Sequence, residues 1–311
     1  MRVLVVGAGA VGGFFGGQLA NAGRDVTFLV RSKRAAEIAA NGFAITGPNA
    51  ATQSIAIRTV LREQIQAPFD LVLLSCKAYD LDSAMAGFMP AVAPETAILP
   101  LLNGMRHIDA LSERFGTARV LGGLGWITAT LNGRGHVMLL GPRTTITFGE
   151  LEGGYSDRVN AIAAAISDAG FEVGLSDTVR LEMWEKWVML ATFAGMTCLM
   201  RAAIGDIVAA DAAGLAERLL EECRRIAAHH GHIIRPDSLA RMQATLTQAG
   251  STFTASMLRD IENNAQTEAE HVIGDLLRRM PDDSDASLSL LRISYAHLKA
   301  YEARRAREWV T

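Results

Sequence analysis

MRVLVVGAGAVGGFFGGQLANAGRDVTFLVR, residues 1–31, is the stretch that decides the fold of this chain. Its apolar runs predict strands over residues 2–6 and 25–30, with a helix over residues 11–22 between them. A G-x-G-x-x-G motif lies at the turn between the first strand and the helix. In that position the motif is typical of a turn that binds a dinucleotide pyrophosphate at a helix N-terminus. The stretch therefore predicts a nucleotide-binding domain built on parallel strands.

The three glycines of the motif have separate tasks in such a turn. Gly7 permits the sharp bend, Gly9 lets the backbone approach the pyrophosphate, and Gly12 lets the helix pack closely on the strand. The alternative is a glycine-rich turn that binds nothing, which the strand–turn–helix context disfavours. We expect cofactor contacts along the whole turn, at Gly7, Ala8, Gly9, Ala10, Val11 and Gly12.

The residue after the second strand indicates which dinucleotide binds. A site for NAD usually has Asp or Glu there, which holds the ribose 2′-hydroxyl. This chain has Arg31, followed by Ser32, Lys33 and Arg34. Because a cation at this position pairs with a 2′-phosphate, we predict NADP(H) rather than NAD(H) as the cofactor. The other interpretation is a basic turn that only contacts solvent.

The composition restricts the class of protein. The chain has 311 residues and is 50% hydrophobic, which is enough for two ordinary domains. Its net charge of −3 argues against a general nucleic-acid-binding protein, and its three cysteines are too scattered for a disulfide framework or a zinc site. The longest uncharged run, residues 187–200, is too short to span a bilayer, and no signal peptide precedes the glycine motif. We therefore expect a cytoplasmic protein that acts on a small molecule and binds neither nucleic acid nor membranes.

Two further strands of a buried parallel sheet are predicted by the apolar runs at residues 69–76 and 97–102. Each run ends at a polar residue, Lys77 after the first and Asn103 after the second. Ligands of open α/β sheets bind at the carboxyl ends of the strands. We therefore expect both side chains to face the cofactor.

Weaker patterns fill the rest of the N-terminal half. They predict helices over 33–41 and 157–169, short strands over 43–45 and 55–58 around a turn at 47–49, a small antiparallel extension of the sheet over 120–130, 136–140 and 144–148, and a last strand over 172–175. Every clear strand pattern lies before residue 176. The predicted domains are therefore residues 1–177, which bind NADP, and residues 178–311, which carry the substrate site.

The second half of the chain is helical in pattern throughout. A long predicted helix, residues 180–200, is apolar nearly all round in its second half and should lie at the centre of the domain. Further helices are predicted over 209–229, 236–247, 253–279 and 287–306, the last after a turn at 281–283. The fold class is thus α/β, with an N-terminal doubly wound sheet of the Rossmann type and an all-α C-terminal domain. So apolar a helical domain is compatible with a homodimer.

Two features of the helical half invite a chemical role. Lys186 lies immediately before the apolar run, where partial burial would suit a lysine to donate a proton near neutral pH. The alternative is an ordinary surface lysine at a helix end. The segment His-His-Gly-His at 229–232 lacks carboxylate or thiolate partners at ligand spacing, so we expect no metal there.

With these residues placed, the chain resembles the ketopantoate reductase family, the 2-dehydropantoate 2-reductases, over both predicted domains. The glycine motif alone is shared with many dehydrogenases, whereas the ordered set of motifs along this chain is more specific. That set comprises VVGAGAVGG with Arg31, Cys76-Lys77-Ala78-Tyr79, Leu102-Asn103-Gly104-Met105, Trp184-Glu185-Lys186-Trp187, the segment from Ser256 to Ile261 that includes Asp260, and Thr267-Glu268.

The resemblance implies that NADPH reduces a 2-keto acid to a 2-hydroxy acid in a cleft between the domains. Lys186 would protonate the carbonyl oxygen as the hydride arrives, and a cation there would also stabilise the developing alkoxide. Asn103 would lie between nicotinamide and substrate and orient Lys186. Glu268 would bond the nicotinamide ribose and influence the charge of Lys186.

The resemblance also implies residues that only bind. Lys77 would contact the cofactor, Ser256 would bond the substrate carboxylate, and Thr128 matches a further cofactor contact of the family only loosely. Without the resemblance, Ser256 and Asp260 could be a solvated polar stripe on one helix face. Asn103 with its following glycine could likewise be an ordinary turn after a strand.

The chain departs from the family pattern at three positions. The family has asparagines on the helix face after the catalytic lysine and before a later glycine, whereas this chain has Leu190, Ala194 and Ile204. A buried substrate group would lose partners worth about 1–3 kcal/mol each. The pattern therefore favours a bulkier or more apolar 2-keto acid, another ketone or an imine, and it keeps open a catalytically silent NADP(H)-binding sensor. Arg201 could anchor a carboxylate or cap its helix.

Overall fold

The computed structural model describes residues 1–48, 50–281 and 289–309. The chain divides into two compact units. The sheet unit comprises Met1–Leu102 and His107–Arg180, and the helical unit comprises Asn103–Arg106 and the chain from Leu181 onward. The short segment Asn103–Arg106 thus belongs with helices that lie far away in the sequence.

Within its described residues, the sheet unit contains ten strands and five α-helices. The strands are β1 (Arg2–Val6), β2 (Asp25–Leu29), β3 (Ala44–Thr46), β4 (Thr52–Ser54), β5 (Arg58–Val60), β6 (Leu71–Leu74), β7 (Ala97–Pro100), β8 (Leu121–Leu131), β9 (Val137–Glu150) and β10 (Glu172–Leu175). The helices are α1 (Ala10–Asn21), α2 (Ser32–Asn41), α3 (Leu81–Phe88), α4 (Arg106–Phe115) and α5 (Asp157–Ile166).

The first sheet is parallel throughout, with the strand order β5-β2-β1-β6-β7. Its central strands are buried on both faces, which is why they appear in the sequence as continuous apolar runs. Val6 at the end of β1 is level with Leu29 of β2 and with Leu74 of β6. The carboxyl ends of these three strands therefore meet at one edge, which confirms the Rossmann-type sheet.

β8 and β9 pair antiparallel as expected, but the expectation that they extend this sheet is wrong. They belong to a second sheet with the order β10-β9-β3-β4, in which β8 pairs with β9. One isolated bridge pairs Ile98 of β7 with Val120, the residue before β8. Pro100, the last residue of β7, has no N–H that could continue this pairing. The two strands predicted over 136–140 and 144–148 form one strand, β9. Pro142 does not end this strand, because it lies at an irregularity where the register between β8 and β9 shifts, between Ile127 and Ala129 of β8.

The short strands before β6 also differ from the prediction. The strand expected over 55–58 overlaps β5 only at Arg58, and its first three residues lie between β4 and β5, so the prediction was displaced by a few residues. Ile55 is nevertheless buried, and its N–H donates to the carbonyl of Phe43. The last residue of the turn expected at 47–49 lies outside the described residues.

The helical unit is built around one long helix. The described helices are α6 (Val179–Met200), α7 (Ile204–Ala209), α8 (Ala213–His229), α9 (Pro236–Leu246), α10 (Ser256–Glu262), a π-helix (Glu270–Gly274), α11 (Asp275–Arg278) and α12 (Leu290–Trp309). The second half of α6 is almost fully buried, as its uncharged sequence predicts. Within the described residues, every helix falls short of the length and hydropathy that a membrane span requires.

Two predicted helices differ from the structure in their bounds. The helix expected over 253–279 ends at Glu262, and Asn264 follows with a positive φ of 53°, which a helix cannot contain. The helix expected over 209–229 begins later, because Asp211 has a φ of 57° and separates α7 from α8. Of the helix predicted over 287–306, the first residues lie outside the described chain, as does most of the turn at 281–283.

Candidate functional site

The glycine turn after β1 has the geometry of a phosphate cradle. Gly7 has a φ of +97°, a value that other residues rarely adopt. A Cβ on Gly12 would lie 2.0 Å from Ser75 Oγ and 2.3 Å from the carbonyl oxygen of Gly7, whereas a Cβ on Gly9 would meet nothing within 4 Å. The turn is therefore tightly packed on the protein side and open at Gly9.

Two side chains hold this turn in place: Ser75, which the sequence did not single out, and Arg34, which it indicated only as one of the basic residues after β2. Ser75 Oγ lies 3.1 Å from the carbonyl of Val6 and 3.2 Å from that of Gly7. Arg34 donates from Nε to the carbonyl of Ala8 at 3.0 Å and from its terminal nitrogen to that of Gly135 at 2.7 Å. Arg34, in α2, thus joins the cradle to the turn between β8 and β9, and neither this role nor that of Ser75 has a local sequence signal.

The residues of this unit fit a dinucleotide. The N-terminus of α1 has neither a capping side chain nor an acidic residue in its first turn, so its N–H groups are available to a pyrophosphate. Arg31 follows β2 with a side chain that is 66% exposed, and its guanidinium lies 2.7 Å from Asp80 Oδ1. Lys77 is exposed just after β6, and Thr128 is half-buried at the bulge of β8.

In the helical unit, the segment that carries Asn103 packs on the π-helix. Gly104 has a φ of +83°, and a Cβ there would lie 2.8 Å from the carbonyl oxygen of His271 and 3.8 Å from Trp187 Nε1. Only glycine fits this position without displacing the backbone beside it. Asn103 is half-buried at this contact.

The same region contains the neighbours of Lys186 and Glu268. Trp187 is fully buried and donates from Nε1 to the carbonyl of Val272 at 2.8 Å, a carbonyl of the π-helix. Glu268 is buried two residues before that π-helix. Gly104 and Trp187 thus both contact the π-helix, and Glu268 lies just before it. The segments of Asn103, Lys186 and Glu268 therefore lie together in one part of the helical unit.

The imidazole of His271 lies in this region as well. Burial, followed by the positive charge of Arg106, lowers the pKa of His271 from its ordinary value of 6.5. The ring is therefore uncharged near neutral pH. π-Helices are rare and often occur at functional sites, which agrees with this position.

An ion pair fixes the start of α6, one residue before Lys186. Arg235 donates to Glu185 from Nε at 2.8 Å, from its terminal nitrogen at 2.5 Å and from its backbone N–H at 3.0 Å. Burial of Glu185 raises its pKa, but the bonds from Arg235 outweigh burial and lower that pKa overall. The carboxylate thus stays ionised and joins α6 to α9.

The substrate-side residues are less closely assembled. Ser256 is exposed at the start of α10, and its side chain makes no hydrogen bond to any described residue. Of the positions where the resemblance implies asparagine, Leu190 is half-buried and Ala194 and Ile204 are buried. Arg201 is exposed and has a φ of 54° at the end of α6.

The histidine segment at 229–232 packs against an aromatic ring. His230 and His232 stack on Trp184, with ring centroids 5.7 and 5.0 Å away. His230 Nε2 also lies 2.9 Å from the carbonyl of Arg279. Across the described chain, no group of three or more His, Cys, Asp or Glu side chains is arranged to hold a metal ion.

Comparison with known families agrees with this geometry. The model of the family described as ketopantoate reductase PanE/ApbA matches residues 3–153, and the model of its C-terminal domain matches residues 178–302. The chain belongs to this family. It is therefore an oxidoreductase of the ketopantoate reductase type, and the resemblance drawn from its motifs is confirmed.

Individual relatives differ in what their names say. "Uncharacterized oxidoreductase YkpB" of Bacillus subtilis is 34% identical and matches 98% of this chain and 100% of its own length. The crystal structure of 2-dehydropantoate 2-reductase from Methylococcus capsulatus is 25% identical, covers 99% of both chains and superposes with a TM-score of 0.85. A ternary structure of D-mandelate dehydrogenase with NADH and anilino(oxo)acetate is 21% identical, covers 98% of this chain and 100% of its own, and has a TM-score of 0.86, which shows the shared fold.

Proposed function

We propose that this oxidoreductase reduces a 2-keto acid to a 2-hydroxy acid with NADPH. The observation that carries the proposal is the gathering of the Asn103, Lys186 and Glu268 segments around the π-helix, through Gly104 and Trp187. The same chain has an open glycine cradle with a cation just after β2. Family membership supplies the reaction class that unites these features.

The chain's own groups supply the proton and the orientation. Bound NADPH would supply a hydride to the carbonyl carbon. Lys186 would donate a proton to the carbonyl oxygen, so that hydride and proton together convert the ketone to an alcohol. Asn103 would orient the Lys186 ammonium, and Glu268 would hold the nicotinamide ribose and favour the charged lysine.

The cofactor preference rests on Arg31. Its guanidinium is exposed just beyond β2, where the adenosine ribose of a dinucleotide binds in folds of this type. A guanidinium can bond a 2′-phosphate with two parallel hydrogen bonds, so we propose NADPH as the preferred cofactor. Lys77, exposed after β6, and Thr128 are proposed as additional cofactor contacts.

A second candidate substrate class is favoured by the apolar side chains near Lys186. Leu190 and Ala194 lie on the same face of α6 as Lys186, because they follow it at intervals of four residues. The asparagine amides that the family resemblance implies are absent at these two sequence positions and at Ile204. We therefore propose that a bulkier or more apolar 2-keto acid, another ketone or an imine is reduced more efficiently than ketopantoate.

The test is NADPH oxidation by the purified protein with ketopantoate, a panel of bulkier 2-keto acids and cyclic imines. Lys186→Ala is the diagnostic variant, and Lys299→Ala, on the exposed face of α12, is the matched control. We expect Lys186→Ala to lower kcat by about 100-fold or more while NADPH still binds, and Lys299→Ala to keep its activity. Full turnover by Lys186→Ala would contradict the assignment, and NADPH binding without turnover of any compound would identify a sensor instead.

A further inference from the structure

The ion pair between Arg31 and Asp80 lies at the cofactor edge of the first sheet. β2 and β6 flank β1, and their ends, Leu29 and Leu74, are level with Val6. Arg31 follows β2, and Asp80 ends the short turn after β6, so the pair spans the carboxyl end of β1 where the glycine turn begins. Both side chains belong to the sheet unit.

The Asp80 carboxylate bonds Arg31 rather than the backbone of its own helix. It occupies the N-cap position of α3, where an aspartate usually accepts a hydrogen bond from the backbone of its own helix. In this structure its carboxylate makes no such bond and lies 2.7 Å from the Arg31 guanidinium. The Asp80 side chain is 31% exposed, so it is partly accessible to a ligand.

The turn that carries Asp80 is held in register with the cradle. Ser75 donates its backbone N–H to the carbonyl of Val6 at 3.2 Å, and its hydroxyl lies near the carbonyl of Gly7. The backbone nitrogen of Cys76 lies 3.6 Å from where a Cβ of Gly7 would stand. The start of the turn that leads to Asp80 is therefore fixed relative to the site where a dinucleotide would bind.

We propose that Asp80 is a second determinant of cofactor choice: it accepts the ribose 2′-hydroxyl of NADH, while Arg31 binds the 2′-phosphate of NADPH. In NAD-binding folds this acceptor comes from the end of the second strand, a position that Arg31 occupies here. Here the turn after β6, on the other side of β1 from β2, would supply the acceptor instead. This inference rests on the proposed dinucleotide function. It predicts only a moderate preference for NADPH over NADH, because Asp80 favours NADH.

The two cofactors should respond to Asp80 in opposite directions. Asp80 competes with the 2′-phosphate for Arg31 and repels its negative charge, so its removal should strengthen NADPH binding. The same removal takes an acceptor from the 2′-hydroxyl and should weaken NADH binding. An ion pair that only positions Arg31 would instead leave NADH binding unchanged, because Arg31 contacts only the 2′-phosphate of NADPH.

The test is direct binding of NADPH and NADH, by titration calorimetry, to the full-length protein and to Asp80→Asn. Asp82→Asn is the matched control, since it removes the same charge from an exposed residue two positions further along α3. We expect Asp80→Asn to bind NADPH about threefold more tightly and NADH about fivefold more weakly, and Asp82→Asn to bind both as before. Thermal unfolding of each variant checks that the fold is retained.

Unchanged NADH binding in Asp80→Asn, equal shifts for both cofactors, or the same shift in Asp82→Asn would overturn the role of Asp80 and leave the proposed reductase function intact. Arg31→Ala provides the complementary measurement: we expect it to weaken NADPH binding at least tenfold and to leave NADH binding within about twofold. If the unaltered protein bound neither dinucleotide, the proposed function itself would be wrong, and the inference would fail with it.

Discussion

Gly9 and Gly12 allow the cradle to be tested with two substitutions of identical chemistry. Both lie at the start of α1, and alanine adds the same methyl group to each. At Gly9, which has a φ of −78°, the methyl group would enter open space. At Gly12 it would lie 2.0 Å from Ser75 Oγ and 2.3 Å from the carbonyl of Gly7, although real Cβ atoms essentially never approach other atoms closer than 3.0 Å.

The structure gives the expected size of each effect. Gly12→Ala must displace the Gly7 backbone, which costs about 1–3 kcal/mol as overpacking, and it disrupts the hydrogen bond of the Ser75 hydroxyl, which adds about 1 kcal/mol. A loss of about 3 kcal/mol in the free energy of unfolding corresponds to a fall of about 6–12 °C in Tm for a unit of this size. Gly9→Ala should change Tm by less than about 2 °C, because alanine is a poorer N-cap but restricts the unfolded chain.

The two variants should rank differently in NADPH affinity than in stability. The methyl group of Gly9→Ala occupies the space in which a pyrophosphate would approach the backbone, so we expect NADPH affinity to fall at least tenfold in a fully stable protein. Thermal unfolding by circular dichroism and NADPH titration by fluorescence measure the two quantities separately. Wild-type affinity in Gly9→Ala would refute the cradle, and an unchanged Tm in Gly12→Ala would refute the close helix–strand packing.

Two further predictions concern the helical unit. Because the pKa of Glu185 is lowered in the folded protein, its ion pair stabilises the fold above the ordinary pKa of 4.5 and loses this effect as the pH falls through the folded value. We expect Glu185→Gln to cost about 1–3 kcal/mol in urea unfolding near neutral pH, with the gap to wild type narrowing in acid; a constant gap would count against the pair. Gly104→Ala forces a φ of +83° on alanine and crowds the His271 carbonyl, so we expect kcat to fall about tenfold or more with NADPH affinity unchanged. Gly133→Ala, where the methyl group would meet nothing within 4 Å, should retain full activity, and equal activity of the two variants would exclude a positioning role for Gly104.

The parts of the fold that depend on local sequence were predictable. β1, α1 and β2 form one short unit in which apolar runs and glycines determine the turn, and their observed bounds differ from the predicted ones by one residue at most. The end of α6 at Met200 was likewise predicted. The second sheet was not, because Pro142 normally indicates the end of a strand. Only the pairing with β8 shows that it lies in a bulge of a continuous strand.

The candidate site divides in the same way. Arg31 could be found from its position after β2, and Lys186 from its place before an apolar run. The role of Gly104 depends on His271, and that of Trp187 on Val272, which is 85 positions away in the chain. No local pattern encodes such contacts. The break at Asn264 did have a signal, since adjacent asparagines favour the left-handed conformation that ends a helix.

The helical unit draws on two separate stretches of the chain, Asn103–Arg106 and the residues from Leu181 onward. The division of the helical unit between two stretches affects recombination between related genes. A single genetic crossover between two related genes near Arg180 would combine Asn103–Arg106 from one parent with α6 and the π-helix from the other. The Gly104 backbone would then have to fit the His271 carbonyl of a different lineage. Exchange of the helical unit between relatives therefore requires two additional crossovers that carry the four-residue segment along, and we expect this segment and the π-helix to have evolved together.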